Sequence, residues 1–174
     1  MTFSDFVNSI TAIAVIFVAA QVYINRKQLF LSTITKCIED FRRLYCEIKD
    51  PNNVSQEACW QYIDMTSEEL FYFKHGYLPN NVAIEWVDGM IDYIPITKRK
   101  GNIINQGHCI KELSENRKKY LSGFPRIINA FDVNERYNIE LIYDKNAPNQ
   151  DERMKERRRL IDEILKNNRQ FKHF

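Results

Sequence analysis

Three carboxylates share one face of a segment that should be helical. Glu85, Asp88 and Asp92 stand at positions i, i+3 and i+7, a spacing that places them on one side of a helix. Converging carboxylates bind hard cations, or serve as the acid and base of a hydrolytic site, particularly when a histidine joins them. One prediction is therefore a hydrolase or metal-dependent enzyme in which these acids meet His75 or His108.

The same spacing also describes an ordinary solvated helix face. Ile84, Val87 and Ile91 form an apolar stripe on the other side of this segment. The sequence contains no glycine-rich phosphate loop, no nucleophile elbow and no H-E-x-x-H motif. His108 and Cys109 are adjacent, so on a helix they point in different directions. We therefore favour a non-enzymatic protein with no cofactor and keep the enzyme as the alternative.

Cysteine and charge usage narrow the class of protein further. Cys37, Cys46, Cys59 and Cys109 form no C-x-x-C pair, and the three histidines do not complete a zinc pattern. Four reduced, mostly buried thiols are expected, as in a cytosolic domain. The net charge is +2, so no global field attracts nucleic acid. Nucleic acid is a disfavoured partner, although local basic clusters leave it open.

The N-terminal segment is the most apolar part of the chain. No charged residue occurs from Phe6 to Asn25, and a helix of these 20 residues spans about 30 Å. A transmembrane anchor over residues 1–28 is predicted; a cleaved signal peptide, disfavoured by the missing basic n-region, and a buried core helix are the alternatives. Arg26 and Lys27 follow the segment, which predicts a single-pass protein of the bacterial inner membrane. Its N-terminus would lie outside, its remaining residues, 29–174, in the cytoplasm, and the lipid bilayer would be its first partner.

The segment that follows is predicted to continue the same helix as a stalk over residues 29–49. No glycine or proline interrupts the chain before Pro51, so one helix from Ser4 to Lys49 is expected. Apolar residues then alternate at spacings of four and three, as in a coiled-coil seam. These residues are Phe30, Ile34, Cys37, Phe41, Leu44 and Ile48. The seam either packs on the chain's own later helices or makes the stalk self-associate.

Four further helices are predicted from periodicity and from helix-ending residues. They cover about residues 54–75, 82–94, 103–121 and 150–169. Residues 137–143 fit either a strand or a helix, and a helix or extended loop is favoured because no partner strand is evident. The predicted fold class is all-α: a transmembrane helix that continues into a stalk and packs with a small cytoplasmic helical bundle.

Two basic clusters are candidates for partner or lipid contact. Lys98, Arg99 and Lys100 lie in a predicted loop, and Arg157, Arg158 and Arg159 lie in the last predicted helix. Acidic residues interleave with the second cluster, which weakens a lipid contact and a nucleic-acid site. A solvated face of a docked helix is the alternative.

Residues 62–94 contain a turn whose sequence resembles one found in other proteins. The turn Gly76-Tyr77-Leu78-Pro79, followed by Trp86, Gly89 and Met90, resembles a stretch in a family of small uncharacterised bacterial proteins. That resemblance implies one N-terminal span, a stalk and a helical cytoplasmic domain, and it brings no catalytic residues.

The functional prediction is a membrane-anchored, non-enzymatic protein that binds a protein partner or self-associates. Its concrete form is a membrane-acting effector of a bacterial antiviral defence system. The alternative is a membrane-tethered hydrolase or metal-dependent enzyme at the three carboxylates.

Overall fold

Helices dominate the structure. The computed structural model describes residues 3–99 and 101–172, with side chains from Thr11 onward. The helices are α1 (Phe3–Ile48), α2 (Gln56–Lys74), α3 (Asn80–Met90), α4 (Lys111–Glu115), α5 (Arg117–Leu121), α6 (Pro125–Ala130), α7 (Ile139–Tyr143) and α8 (Gln150–Gln170). Two short strands, β1 (Thr97–Lys98) and β2 (Asp132–Val133), complete the order, β1 before α4 and β2 before α7. With 68% helix and 3% strand, the predicted all-α character is confirmed.

The chain divides into two compact units, Met1–Ile38 and Glu39–Phe174. The division falls inside α1, which is continuous because no glycine or proline occurs between Phe3 and Ile48. The predicted single helix from Ser4 to Lys49 is thereby confirmed to within one residue at each end. The predicted boundary after residue 28 stays a prediction.

The predicted membrane span requires a correction. Among the residues whose side chains are described, no helix combines the length and the apolar character needed to cross a membrane. From Thr11 on, a window of 18 residues takes in Asn25, Arg26 and Lys27, whose polar and charged side chains lower its mean hydropathy below that of a membrane span. The predicted single-pass location in the inner membrane, with its N-terminus outside, is therefore wrong on these residues. The first part of the predicted anchor, residues 1–10, lies outside the described side chains.

Helix α8 organises the core of the unit Glu39–Phe174. It packs against α2, α3, α6 and α7. Its inner face is apolar, since Leu160, Ile161, Ile164 and Leu165 are all buried. The predicted helix 150–169 matches α8 to one residue. Its start is fixed by Asn149, whose side chain accepts a hydrogen bond from the backbone N–H of Glu152 at 3.1 Å.

The other predicted helices are shorter than their patterns suggested. Helix α2 begins at Gln56 because the Ser55 hydroxyl caps it, accepting from the Ala58 N–H at 3.1 Å. The chain leaves α2 at Gly76, whose φ of 68° suits glycine. Residues 103–121 form a loop and two short helices, α4 and α5, instead of one helix.

A small parallel sheet was not predicted. β1 and β2 pair with Thr97 opposite Asp132, and the Thr97 hydroxyl donates to the Asp132 carboxylate at 3.1 Å. Two-residue strands show no alternation of apolar and polar residues, so they carry no sequence signal. The ambiguous segment 137–143 holds α7, which is the helical option that was favoured.

Asn105 fixes the loop that follows the sheet. This side chain is fully buried; its Oδ1 accepts from the Ile96 N–H at 2.8 Å, and its Nδ2 donates to the Ile94 carbonyl at 2.9 Å. We expect Asn105→Leu to lower the free energy of unfolding by about 2–4 kcal/mol, because it leaves buried backbone groups without partners. Chemical denaturation measures the loss. The exposed Asn102→Leu is the control, with an expected change within about 0.5 kcal/mol.

Candidate interaction surface

Exposed apolar side chains concentrate on α1. Between Ile13 and Ile24, large apolar residues on several faces of the helix are exposed by between 47% and 72%. Beyond Ile24 the exposed large apolar residues become sparser along α1. Leu29 is 60% exposed and Leu31 is 52% exposed. Scattered single apolar residues are ordinary on protein surfaces, but a contiguous run of this length marks an interaction surface.

One row within this run repeats every seven residues. Phe17, Ile24, Leu31 and Ile38 are 72%, 47%, 52% and 37% exposed, and all four lie in the unit Met1–Ile38. We call these four residues the heptad row. In the sequence the same spacing continues to Tyr45, which is also exposed. A strict seven-residue apolar repeat is the signature of helices that wind around one another.

The seam predicted from sequence is mostly covered. Cys37, Leu44 and Ile48 are buried, whereas Phe30, Ile34 and Phe41 are half-buried. Leu44 and Ile48 belong to the core of the unit Glu39–Phe174, which agrees with the reading that the seam packs within its own chain. Self-association through this seam stays a prediction, and its buried members offer little surface to a second molecule.

Two of the three predicted catalytic carboxylates bind an arginine. The Arg157 Nε donates to Asp88 Oδ1 at 2.5 Å, and its Nη1 and Nη2 donate to the two Asp92 carboxylate oxygens at 3.0 and 3.1 Å. The Arg157 side chain is only 7% exposed. Burial lowers the pKa of its guanidinium, but the hydrogen bonds with Asp92 and Asp88 outweigh this effect and raise the pKa above its ordinary value. The arrangement is a clamp in which a buried arginine of α8 holds Asp88 of α3 and Asp92 in the turn after α3, two carboxylates that are 40% and 43% exposed.

The histidines of the enzyme alternative contact aromatic rings. His108 stacks on Tyr143 with ring centroids 4.4 Å apart, and His75 packs 4.4 Å from Phe71. Within residues 11–99 and 101–172, no group of three or more histidine, cysteine or acidic side chains is placed to bind a metal ion. The enzyme alternative stays a prediction for which the described residues assemble no site.

The residues of the two predicted basic clusters differ in how exposed their side chains are. Arg158 pairs with Asp162 at 3.2 Å, and Arg159 pairs with Glu135 at 2.8 Å and with Glu156 at 2.7 Å, all at the surface. Arg157 is buried in the clamp. Lys98 is half-buried in β1, Arg99 is exposed, and Lys100 lies outside the described residues. The reachable members of the two predicted clusters are therefore Arg99, Arg158 and Arg159.

The thiols offer no reactive nucleophile in the core. All four cysteines are reduced, and Cys37, Cys59 and Cys109 are buried as predicted, whereas Cys46 is exposed. Burial raises the pKa of Cys59 and of Cys109 to about 11, so both remain protonated near neutral pH. Cys46 is the thiol that a cross-linking experiment must remove.

A buried acid was missed by the sequence reasoning. Glu69 on α2 is 6% exposed, and burial, with added repulsion from Glu68 and Asp40, raises its pKa to about 8. The groove beside it is lined by Asp40, Glu47, Asp64 and Glu68. The neutral form of Glu69 therefore dominates below about pH 8. A signal was present in the sequence, since Glu69 lies four residues before the apolar Phe73 and seven after Tyr62, on the same helical face.

Comparison with known proteins adds no assignment. No protein-family model, curated protein or solved structure matches this chain. The resemblance noted for residues 62–94 therefore rests on its turn sequence alone. In the structure that turn ends α2 and leads into α3, so its residues serve packing and helix capping.

Proposed function

We propose that this protein is a non-enzymatic association protein. Helix α1 binds helices of other protein chains through the heptad row, and residues 39–174 form the folded unit that the association brings together. The observation that carries the proposal is the run of exposed apolar residues along α1, from Ile13 to Ile38. Monomeric proteins rarely leave so long a run uncovered.

The energy available from this run is sufficient for association. Covering one large apolar side chain gains about 1.5–3 kcal/mol, whereas bringing two chains together costs an estimated 4–15 kcal/mol in lost motion. At these values about two to ten such residues, counted over both chains, are needed to overcome this cost. The heptad row supplies four on each chain, and its neighbours add to them.

The proposal names an association and no cellular process. A role in bacterial antiviral defence, in which binding of a partner changes how the chains associate, stays a prediction. The membrane-acting form of that prediction loses its basis with the corrected span. Arg99, Arg158 and Arg159 remain candidates for the contact with a protein partner, because their charged groups reach the surface.

The proposal is tested by placing a charge on the exposed face of α1. We expect Leu31→Asp to reduce the amount of assembled protein at least tenfold, since loss of one buried leucine removes about 1.5–3 kcal/mol. Cross-linking of amines in cells expressing the full chain, followed by measurement of adduct mass, gives the readout.

Leu29→Asp is the matched control for this experiment. Leu29 is exposed like Leu31 but lies two residues away, on nearly the opposite side of α1. Both variants replace a leucine by an aspartate within the same helix, so any loss of helix stability is shared. An unassembled wild-type chain, or an equal loss in both variants, would contradict the proposal.

A further inference from the structure

We propose that an acidic groove between α1 and α2 binds an extended basic segment of a partner protein, whose lysine and arginine side chains contact both walls. The acidic groove is the cleft whose carboxylates come from Asp40 and Glu47 on α1 and from Asp64 and Glu68 on α2. All four residues lie in the unit Glu39–Phe174, and none belongs to the heptad row. The inference therefore goes beyond the association through α1 and does not depend on it.

The lining of the acidic groove carries an excess of negative charge. Four carboxylates and one guanidinium, that of Arg43, line it. The guanidinium is bonded to one wall already, since Arg43 Nη2 donates to Asp40 Oδ1 at 2.7 Å. The volume of the groove is about 590 Å³, within the range of about 300–1,000 Å³ that is typical of binding clefts. Its size and charge suit a cationic occupant.

A fifth acid, Glu69, is buried beside the acidic groove and faces it. Its side chain is 6% exposed and, within residues 11–99 and 101–172, forms no hydrogen bond or ion pair. It lies one helical turn after Met65, which lines the groove, and the charges of Glu68 and Asp40 act on it from the two walls. A buried polar group without a partner is rare in folded proteins. A ligand that donates hydrogen bonds from the groove would supply this partner.

The spacing of the acids favours several organic cations over one metal ion. No three acidic, histidine or cysteine side chains converge as metal ligands do in residues 11–99 and 101–172. Asp64 and Glu68 stand four residues apart, about 6 Å along α2, and Asp40 and Glu47 stand seven apart, about 10 Å along α1. Separate ammonium or guanidinium groups can therefore meet separate carboxylates.

An extended chain matches the two walls. Successive side chains of an extended segment point to opposite sides, and those two residues apart are about 6–7 Å from each other along the chain. Alternate basic side chains then reach α1 and α2 in turn, and those on one side follow the spacing of Asp64 and Glu68. Leu44 and Met65 add apolar surface to the lining, along which the stems of lysine and arginine can lie.

Binding of a labelled peptide tests the site. The peptide is a fluorescein-labelled tetra-arginine with both ends blocked, and fluorescence anisotropy measures its affinity for the full chain. Glu47→Gln combined with Asp64→Asn should weaken binding by about fivefold or more, because two charge-assisted contacts are lost. Glu39→Gln combined with Glu115→Gln is the matched control. It also removes two exposed negative charges, but from outside the groove, so we expect a change of less than about twofold.

Glu69 provides a second readout that a general attraction between opposite charges would not produce. Bound cations favour its ionised form, so binding should strengthen by about threefold or more as the pH rises from about 6 to about 8.5, where arginine keeps its charge. The groups that face Glu69 are Asp40 from α1, bonded to Arg43, and Glu68 and Tyr62 from α2. Burial holds the pKa of Tyr62 well above this range. Glu69→Gln should therefore remove most of the pH dependence.

Each contrary outcome overturns a defined part of the inference. Equal weakening in the groove variant and in the matched control would show non-specific attraction and would overturn the site. Spermine carries four positive charges, as the peptide does, and its binding as tightly as the peptide would assign the groove to a free polyamine instead of a protein segment. An affinity that is independent of pH in the wild-type chain would overturn the contact with Glu69. Loss of assembly in Leu31→Asp has no bearing on these results, because Leu31 lies outside the groove.

Discussion

Replacement of Arg157 by leucine is expected to lower the free energy of unfolding by about 2–4 kcal/mol. The guanidinium holds the carboxylates of Asp88 in α3 and of Asp92 in the turn that follows α3, and its Nη2 also donates to the Asp88 backbone carbonyl at 2.6 Å. Removing the buried guanidinium takes away four hydrogen bonds and leaves Asp88 and Asp92, whose side chains are 40% and 43% exposed, as neighbouring carboxylates without their cation. The expected loss is a large part of the stability of a typical domain, which is about 5–15 kcal/mol.

The neighbouring arginine provides a control for this expectation. Arg158 is 51% exposed and pairs with Asp162 across one helical turn, an arrangement worth under 1 kcal/mol. Denaturation followed by the fluorescence of Trp60 and Trp86, which both lie in the unit Glu39–Phe174, should show a small change for Arg158→Leu and a large one for Arg157→Leu. Losses of equal size would show that the clamp does not stabilise the fold.

The chemistry of the clamp is tested by a conservative change. Arg157→Lys keeps the positive charge but offers a single ammonium, which cannot hold both oxygens of Asp92 while also bonding Asp88. We expect an intermediate loss of about 1–3 kcal/mol. Full retention of stability would mean that charge alone matters. Arg157 would then differ little from a lysine placed at the same site.

The acid cluster shows how a sequence pattern misleads without its partner. The spacing of Glu85, Asp88 and Asp92 indicated one helix face, but α3 ends at Met90 and Asp92 lies in the turn after it. The interpretation as a catalytic face also lacked Arg157, a cation 65 residues away from Asp92. A signal did exist, because Arg157 lies four residues before the buried Ile161 and seven before the buried Ile164. A basic residue on the apolar stripe of α8 therefore indicated a buried ion pair.

Helix α1 shows a different limit of prediction from the sequence: the helix itself was predicted, but the face that the chain covers was not. Its continuity followed from local chemistry, since no glycine or proline interrupts it, and the sequence predicted it closely. Two apolar rows run side by side along it, one through Cys37 and one through Ile38. Both fit a coiled-coil spacing, and only the packing of the chain decides which row is covered. Periodicity indicates that a face is apolar, but it does not indicate what covers that face.

The short helices and strands show a third limit of prediction from the sequence. Helices α4 to α7 have five or six residues each, too few for a repeating pattern to distinguish them from loops. The β1–β2 pair joins residues 35 positions apart through backbone hydrogen bonds, which side-chain patterns do not reveal. The long helices were therefore predicted well, and the connections that position the buried Asn105 were not.

A second large effect is expected at Glu69. Its pKa in the folded protein is about 8, against an ordinary value of 4.5, so the folded state retains a proton that the unfolded chain releases. The stability that Glu69 contributes is therefore fully present below about pH 4.5, falls as pH rises, and levels off above about pH 8. Each tenfold difference in proton affinity is worth about 1.4 kcal/mol, so we expect Glu69→Gln to stabilise the protein by on the order of 2–4 kcal/mol at pH 8.

The pH dependence distinguishes this effect from a change in packing. Glutamine has nearly the volume of a protonated glutamate, so near pH 4.5 the variant and the wild type should unfold at similar denaturant concentrations. The difference should then grow steadily up to pH 8. Glu57→Gln, an exposed acid in the first turn of the same helix, is the control, and its effect should be small and nearly independent of pH.

The charges of Glu68 and Asp40 provide a final check on what raises the pKa of Glu69. Glu68 and Asp40 both raise the pKa of Glu69, after burial. Neutralising either, as in Glu68→Gln or Asp40→Asn, should lower that pKa and move the loss of stability to lower pH, with a smaller total loss. Asp40 belongs to α1 and Glu68 to α2, so the same experiment reports on repulsion across the groove between them. An unchanged pH profile in both variants would assign the raised pKa to burial alone, whereas a wild-type stability that is flat between pH 5 and 8 would contradict a protonated Glu69.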